Sequence, residues 1–203
     1  MNPRVREAIA SATATLAQAG IDSARTDAEL LAAYAAGTER GRLALLDPNT
    51  GGFHERFAGA VAARAQRIPL QHITGTAAFG PVQVQVGPGV FIPRPETEAL
   101  LEWALAQKLP PDPVILDLCT GSGALAIALA AGRPGSRVVA IDDDDAALDY
   151  ARRNAASTGV RIVRGDVTDP CLLPEFDGRV DLVVANPPYI PVGVVLEPEV
   201  ARH

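Results

Sequence analysis

Lysine is almost missing from this chain of 203 residues: Lys108 is the only one, and arginine supplies the remaining positive charge. Biased codon usage explains this more simply than a demand for guanidinium chemistry. The chain also lacks positive excess, with 18 basic against 24 acidic residues and a net charge of -6. Proteins that grip long stretches of nucleic acid carry the opposite balance, so composition argues against a nucleic-acid partner. Cysteine is scarce: Cys119 and Cys171 lie far apart without CxxC spacing, which excludes a disulfide framework or a cysteine metal cluster and fits a reducing compartment. No long apolar run exists, the longest (Ala124 to Ala131) being far too short to span a bilayer. The opening MNPRVREAIASATATLAQAG mixes charges into an amphipathic helix and is no signal peptide. A soluble, cytoplasmic protein without a bound metal is expected. What is present is 48% hydrophobic residues with 21% charged, enough for one large core or two small ones and too apolar for disorder.

Three regions differ in texture. Residues 1–73 read as a helical domain: Val5, Ala8, Ile9, Ala12 and Leu16 recur at helical spacing. Asp27 is expected to N-cap a helix that stops at Gly37, and a third helix is expected over His54–Arg67, ahead of Pro69. Residues 74–95, with FGPVQVQVGPGVFIP, alternate polar and apolar between Gly-Pro punctuation and predict a β-hairpin linker. Residues 96–203 start with a helix bearing Pro95 and acidic residues in its first turn, then alternate strand and helix: VILDLC, GALAIALAAG, RVVAID, AALDYARRNAAST, VRIVRGD, VDLVVANPPY. Such near-continuous apolar strands belong to a parallel sheet covered on both faces, so the expected class is α/β and Rossmann-like.

The first of these strands runs into Asp117-Leu118-Cys119-Thr120-Gly121-Ser122-Gly123 and then directly into a helix. Small residues there let backbone approach a ligand at the strand's carboxyl end. Alone, a glycine turn is weak evidence. Asp142, however, closes the second strand nineteen residues after Gly123, where a carboxylate can accept from both hydroxyls of a ribose. The order lacks GxGxxG, and Asp117 would repel a pyrophosphate. A carboxylate there suits the cationic amino group of a methionine moiety, so S-adenosylmethionine is the expected cofactor. Asp166, after the third strand, can take the exocyclic amine of adenine or serve as a plain turn residue, and spacing does not choose between them.

The fourth strand ends in Asn186-Pro187-Pro188-Tyr189. Asn186 precedes proline and is confined to extended backbone, while Pro187 and Pro188 fix the following φ angles. Two stiff acceptors result, the Asn186 side-chain carbonyl and the Pro187 main-chain carbonyl, beside the flat ring of Tyr189. A planar NH2 stacked on that ring could donate both hydrogens and present its nitrogen to a methyl donor, with positioning and aimed acceptors as the catalytic devices. An isolated Asn-Pro-Pro is an ordinary loop breaker, but behind an apolar strand and downstream of a cofactor turn it reads as an acceptor site.

With FIPRPETE (Phe91–Glu98), PLQHITG (Pro69–Gly75) and the helical N-terminal region added, the chain resembles the HemK/PrmC family of class I methyltransferases along essentially its whole length. Those enzymes methylate the glutamine side-chain amide of the Gly-Gly-Gln motif in peptide chain release factors. The resemblance implies that Asp117, Cys119 to Gly123, Asp142, Asp166 and Val167 contact S-adenosylmethionine and that Asn186 to Tyr189 hold the substrate glutamine, with Asn186 also near the cofactor. It implies release factors as protein partners, docked by the helical domain. Arg94, Thr97 and Glu98 match a segment bordering the cofactor pocket. Cys119 stands where glycine is common, so an ordinary φ is expected there. Ile68 replaces a frequent glutamate, and His72 is expected to pack rather than catalyse. The family's sheet continues past Asn-Pro-Pro-Tyr, which implies a C-terminal part beyond His203. Competing readings are an adenine-N6 methyltransferase acting on DNA or RNA, which shares the acceptor motif, a nicotinamide oxidoreductase and a non-catalytic fragment.

Overall fold

The structure, a computed structural model, describes residues 2–47 and 51–187, which form two compact units dividing between Thr74 and Gly75. Among the described residues no helix is long and apolar enough to cross a membrane.

The first unit is helical. Helix α1 (Pro3–Gln18) is capped by the Asn2 side chain and buries Val5, Ile9, Ala12 and Leu16, one apolar stripe at helical period. Helix α2 (Ala24–Ala36) ends at Gly37, whose left-handed φ of 62° closes the helix. Helix α3 (Phe53–Ala65) stops two residues short of expectation, and Arg67 follows it at φ 66°. A short helix α4 (Leu70–Thr74), which carries His72, completes the unit.

Asp27 is not the N-cap it was expected to be. Helix α2 begins three residues earlier, and Asp27 lies buried in its first turn, 2.7 Å from Arg64 Nε of α3. Ser23 donates its hydroxyl to the same carboxylate at 2.8 Å, and Arg64 also donates to the Ile68 carbonyl at 3.1 Å. The demand of a buried guanidinium for a partner outweighs local capping preference.

The second unit opens with strands β1 (Thr76–Phe79) and β2 (Val82–Gln85), paired antiparallel across Gly80 and Pro81. The expected hairpin is present but is no mere linker. Ala77, Phe79, Val84 and Val86 belong to the same buried cluster as Ile115, Leu125 and Leu129. Pro95–Thr97 then forms a 3-10 turn that leads into helix α5 (Glu98–Leu105).

Strand β3 (Val114–Leu118), helix α6 (Ala124–Gly132), strand β4 (Arg137–Asp142), helix α7 (Asp145–Ala155), strand β5 (Arg161–Arg164) and strand β6 (Leu182–Ala185) follow. The four strands form one parallel sheet in the order β5-β4-β3-β6. This is an α/β, Rossmann-like arrangement. The chain steps outward from β3 through β4 to β5 and then returns to the opposite side of β3. That return creates a switch point between β3 and β6, where an open α/β sheet leaves a crevice beyond its carboxyl ends. One face buries Ile115, Val138, Ala140, Leu182 and Val184 under α6, α5 and the hairpin. The other buries Val139 and Ile141 with Leu173 and Phe176, whereas Val183 on β6 is half exposed.

Arg64→Ala should destabilise the folded chain by about 3 kcal/mol, because Asp27 is left as a buried charge without its partner. Urea denaturation followed by far-UV circular dichroism measures this. A loss below about 1 kcal/mol, the range of exposed pairs, would refute the structural role given to the contact.

Candidate functional site

Successive side chains of a strand point to opposite faces, so residues two apart share a face. Ile115 lies under α6, and Asp117 shares its face. Val138 and Ala140 lie there as well, and Asp142 follows in the same parity. Leu182 and Val184 do so on β6, and Asn186, held extended by Pro187, continues the alternation. The ladders pair Leu118 with both Ile141 and Ala185, which levels the three strand ends. Three polar side chains distant in sequence therefore come to one crevice on one face of the sheet.

A cavity of about 680 Å³ opens there. Asp117, Cys119, Thr120, Gly121, Ser122, Asp142, Asp166, Val167, Asn186 and Pro187 all line it. Gly123 does not: it sits at φ 82° as the N-cap of α6, a left-handed backbone that favours glycine. Arg94 and Thr97 line the cavity, as do Phe79, Gly89 and Phe91, which strand spacing alone could not place. Glu96 lines it while Glu98 does not. Pro188 and Tyr189 lie outside the described residues.

The turn after β3 is held from three sides. Thr120 N–H donates to the Ile141 carbonyl at 2.9 Å, tying the turn to β4. Gly121 N–H donates to Asp142 Oδ2 at 2.7 Å, while Asp142 Oδ1 accepts from Asp144 N–H at 3.1 Å. Asn154 of α7 donates to the Ser122 carbonyl at 2.9 Å and also exchanges hydrogen bonds with both the N–H and the C=O of Gln85 in β2. No motif reading pointed to Asn154, because its role depends on three segments meeting.

Cys119 departs from expectation, for its φ is 59°. The turn demands a left-handed residue at that position whatever its identity, and the conformation costs a non-glycine residue about 1–2 kcal/mol. Tertiary hydrogen bonds to the following residues hold it there. Burial, then the charges of Asp142, Asp143 and Asp117, push its thiol above the usual range.

Asp117 is fully buried on the floor of the cavity, accepting from the Thr120 hydroxyl at 2.6 Å and from a backbone N–H of α6, that of Ala126. Burial raises its carboxyl from the ordinary 3.8 to about 7, with the nearby Asp142 adding to the rise. A cationic group beside it would restore ionisation. Asp166 is exposed and accepts from both the N–H and the hydroxyl of Thr168 at 2.8 and 2.7 Å, a turn that leaves it at the cavity wall. With Asp143 and Asp144 added, the cavity is lined by carboxylates and suits a cationic ligand. At the opposite wall, Asn186 Nδ2 donates to Thr97 Oγ1 at 3.2 Å.

Residues 7–75 match the family described as PrmC N-terminal domain, and residues 84–201 match methyltransferase small domain. The release factor glutamine methyltransferase of Mycobacterium tuberculosis (strain CDC 1551 / Oshkosh) is 63% identical over 203 residues, covering 98% of this chain and 67% of that protein. Its namesake from Mycolicibacterium smegmatis (strain ATCC 700084 / mc(2)155) is 64% identical over 200 residues, covering 98% and 71%. A 4-amino-L-phenylalanine/4-methylamino-L-phenylalanine methyltransferase of Streptomyces pristinaespiralis is 42% identical over 210 residues, covering 99% and 70%.

The buried carboxyl of Asp117 makes stability depend on pH with a definite sign. Between about pH 4 and 7 the folded chain holds a proton at Asp117 that the unfolded chain has released, so folding should weaken as pH rises through that window, by up to about 1.4 kcal/mol per pH unit. Carboxylates held low by hydrogen bonds, such as Asp166 with Thr168, act in the opposite sense. The contrast with Asp117→Asn therefore isolates the effect. Urea midpoints of the parent should fall more steeply from pH 4.5 to 7.5 than those of the variant; parallel curves would contradict the assignment.

Proposed function

The chain belongs to the HemK/PrmC family of release factor glutamine methyltransferases, and we propose that it transfers a methyl group from S-adenosylmethionine to the glutamine side-chain amide nitrogen of the Gly-Gly-Gln motif in peptide chain release factors. The observation that carries the chemistry is the convergence of Asn186, the Asp117–Ser122 turn and Asp142 on one carboxylate-lined cavity.

The residues fit this cofactor. S-adenosylmethionine carries a cationic amino group and a sulfonium centre, and a pocket with Asp117 on its floor favours both; the same carboxylates would repel the pyrophosphate of a dinucleotide. Asp117 and the backbone of Cys119 to Ser122 would hold the methionine end. Asp142 would hold the ribose, and Asp166 with Val167 the adenine. When bound, the cofactor supplies an electrophilic methyl group on sulfur. Asn186 Oδ1 and the Pro187 carbonyl would accept the two N–H bonds of the substrate amide, and Tyr189, by the motif, would offer a ring for it to stack on. These acceptors draw density onto the nitrogen and orient its lone pair, which is positional and electrostatic catalysis. Of the two acceptors named for the Streptomyces relative, 4-amino-L-phenylalanine bears an NH2 on a flat ring, while its methylamino form keeps one N–H at that nitrogen.

The helical region of residues 1–73 would dock the release factor, and the site of action would be the cytoplasm, where translation terminates. Against adenine in DNA or RNA stand the net charge of -6 and the acidic cavity.

Incubation with methyl-labelled S-adenosylmethionine, a purified release factor, and separately DNA and RNA, tests this. Label is expected on the release factor and is expected to vanish when the Gly-Gly-Gln glutamine is replaced by alanine. Label confined to nucleic acid, or unchanged by that replacement, would overturn the reading.

A further inference from the structure

We propose that Arg94 receives the carboxylate of the cofactor's methionine moiety, an inference that rests on the reading of S-adenosylmethionine as the methyl donor. That moiety is a zwitterion, with an ammonium and a carboxylate on one carbon. Asp117 suits the ammonium and leaves the carboxylate without a partner. A cavity lined by Asp117, Asp142, Asp143, Asp144, Asp166 and Glu96 repels an incoming carboxylate unless a cation meets it. Among the described residues lining this cavity, Arg94 alone is cationic.

The fold brings it to the matching end. The strand order β5-β4-β3-β6 sets out Asp166, Asp142, Asp117 and Asn186 in turn across the crevice. A cofactor laid along them, adenine first, carries its methionine moiety to the side of Asp117 and Asn186. Residues 89–97 cross the same crevice. At Gly89 this segment packs on α7, where an added β-carbon would lie 3.1 Å from that of Ala146. At Thr97 it meets Asn186, with Oγ1 and Nδ2 3.2 Å apart. Arg94 belongs to the Asn186 half, since its carbonyl accepts from Thr97 N–H at 3.0 Å. Its backbone is held extended ahead of Pro95, at φ -96° and ψ 142°.

The guanidinium is open to a ligand. It lies over the ring of Phe91, another cavity residue, 5.2 Å from the centroid, and among the described residues it enters no ion pair or hydrogen bond. Contact with a ring engages no hydrogen-bond acceptor. The planar fork of N–H donors therefore stays available to a carboxylate, which it matches with two hydrogen bonds. A peptide carbonyl of the protein substrate, being neutral, is the weaker match.

Two ligands test this by calorimetry: S-adenosylhomocysteine, and its analogue that keeps the amine but lacks the carboxylate. Arg94→Met keeps an unbranched apolar stem over Phe91 and deletes the fork, and Arg94 is exposed, so the substitution spares the core. The variant should bind S-adenosylhomocysteine about ten- to fiftyfold more weakly than the parent. It should hold the carboxylate-free analogue as well or better, because a cation near the analogue's amine is gone. Retained binding of the analogue also shows that the pocket is folded. Arg94→Lys should recover part of the lost affinity. An equal loss for both ligands, or no loss for either, would overturn the proposal. So would an unchanged Kd for S-adenosylhomocysteine beside a raised KM for a release factor, which would assign Arg94 to the protein substrate. Should the parent protein bind neither ligand, the cofactor reading itself falls; binding of both by the parent and by Arg94→Met alike sinks only the role of Arg94.

Discussion

Strand β3 lies between β4 and β6, and the parallel ladders on its two sides level the strand ends, Leu118 against Ile141 and against Ala185. Because alternate side chains share a face, this pairing delivers Asp117, Asp142 and Asn186 to one side of one crevice. A slip of one residue on either side would turn Asn186 or Asp142 to the opposite face and separate the proposed anchors of the methyl donor from the proposed acceptor clamp. On β6 the buried Leu182 and Val184 guard against that slip, since the same shift would exchange them for the half-exposed Val183. Register, set by hydrophobic burial, is thus the geometric basis of the site.

Electrostatics then narrows what the crevice can hold. A carboxyl buried at Asp117 is unfavourable to the empty protein, and it is retained where a strand residue of apolar type would pack more stably. The hydrogen bonds from Thr120 and Ala126 offset part of that cost, and a ligand that brings positive charge to that point would offset more. The left-handed Cys119 is a second local cost in the same turn, held in place by the Thr120–Ile141 and Gly121–Asp142 hydrogen bonds. Two unfavourable features in one short turn fit a ligand-binding role better than a structural one.

The parts of this molecule that obey a local rule could be read from the sequence. The near-continuous apolar runs in VILDLC, RVVAID and VDLVVAN gave a parallel sheet and, with Asn-Pro-Pro, an acceptor site beyond its end. The Gly37 helix stop needed only the freedom of glycine at positive φ. The features set by contacts between distant segments could not be read. Asp27 looked like a cap because its partner Arg64 lies 37 residues away. Cys119 looked unable to adopt positive φ because nothing local reveals the bonds that force it. Thr97 could be matched to a motif, but its contact with Asn186 spans 89 residues and exists only because β6 brings Asn186 to it.

The hairpin shows how such distant contacts shape the site. As a linker, β1 and β2 would owe nothing to the cofactor turn. Phe79 instead lines the cavity while sharing a buried cluster with α6, and Asn154 joins the edge of β2 to the Ser122 carbonyl through one amide. With its oxygen and nitrogen both engaged, that amide cannot flip without losing all three bonds. At that point the structure fixes an amide by giving its oxygen a donor and its nitrogen two acceptors. Rigid placement of planar, two-ended groups is the physical means by which this fold prepares a cavity for a substrate that is itself a planar amide.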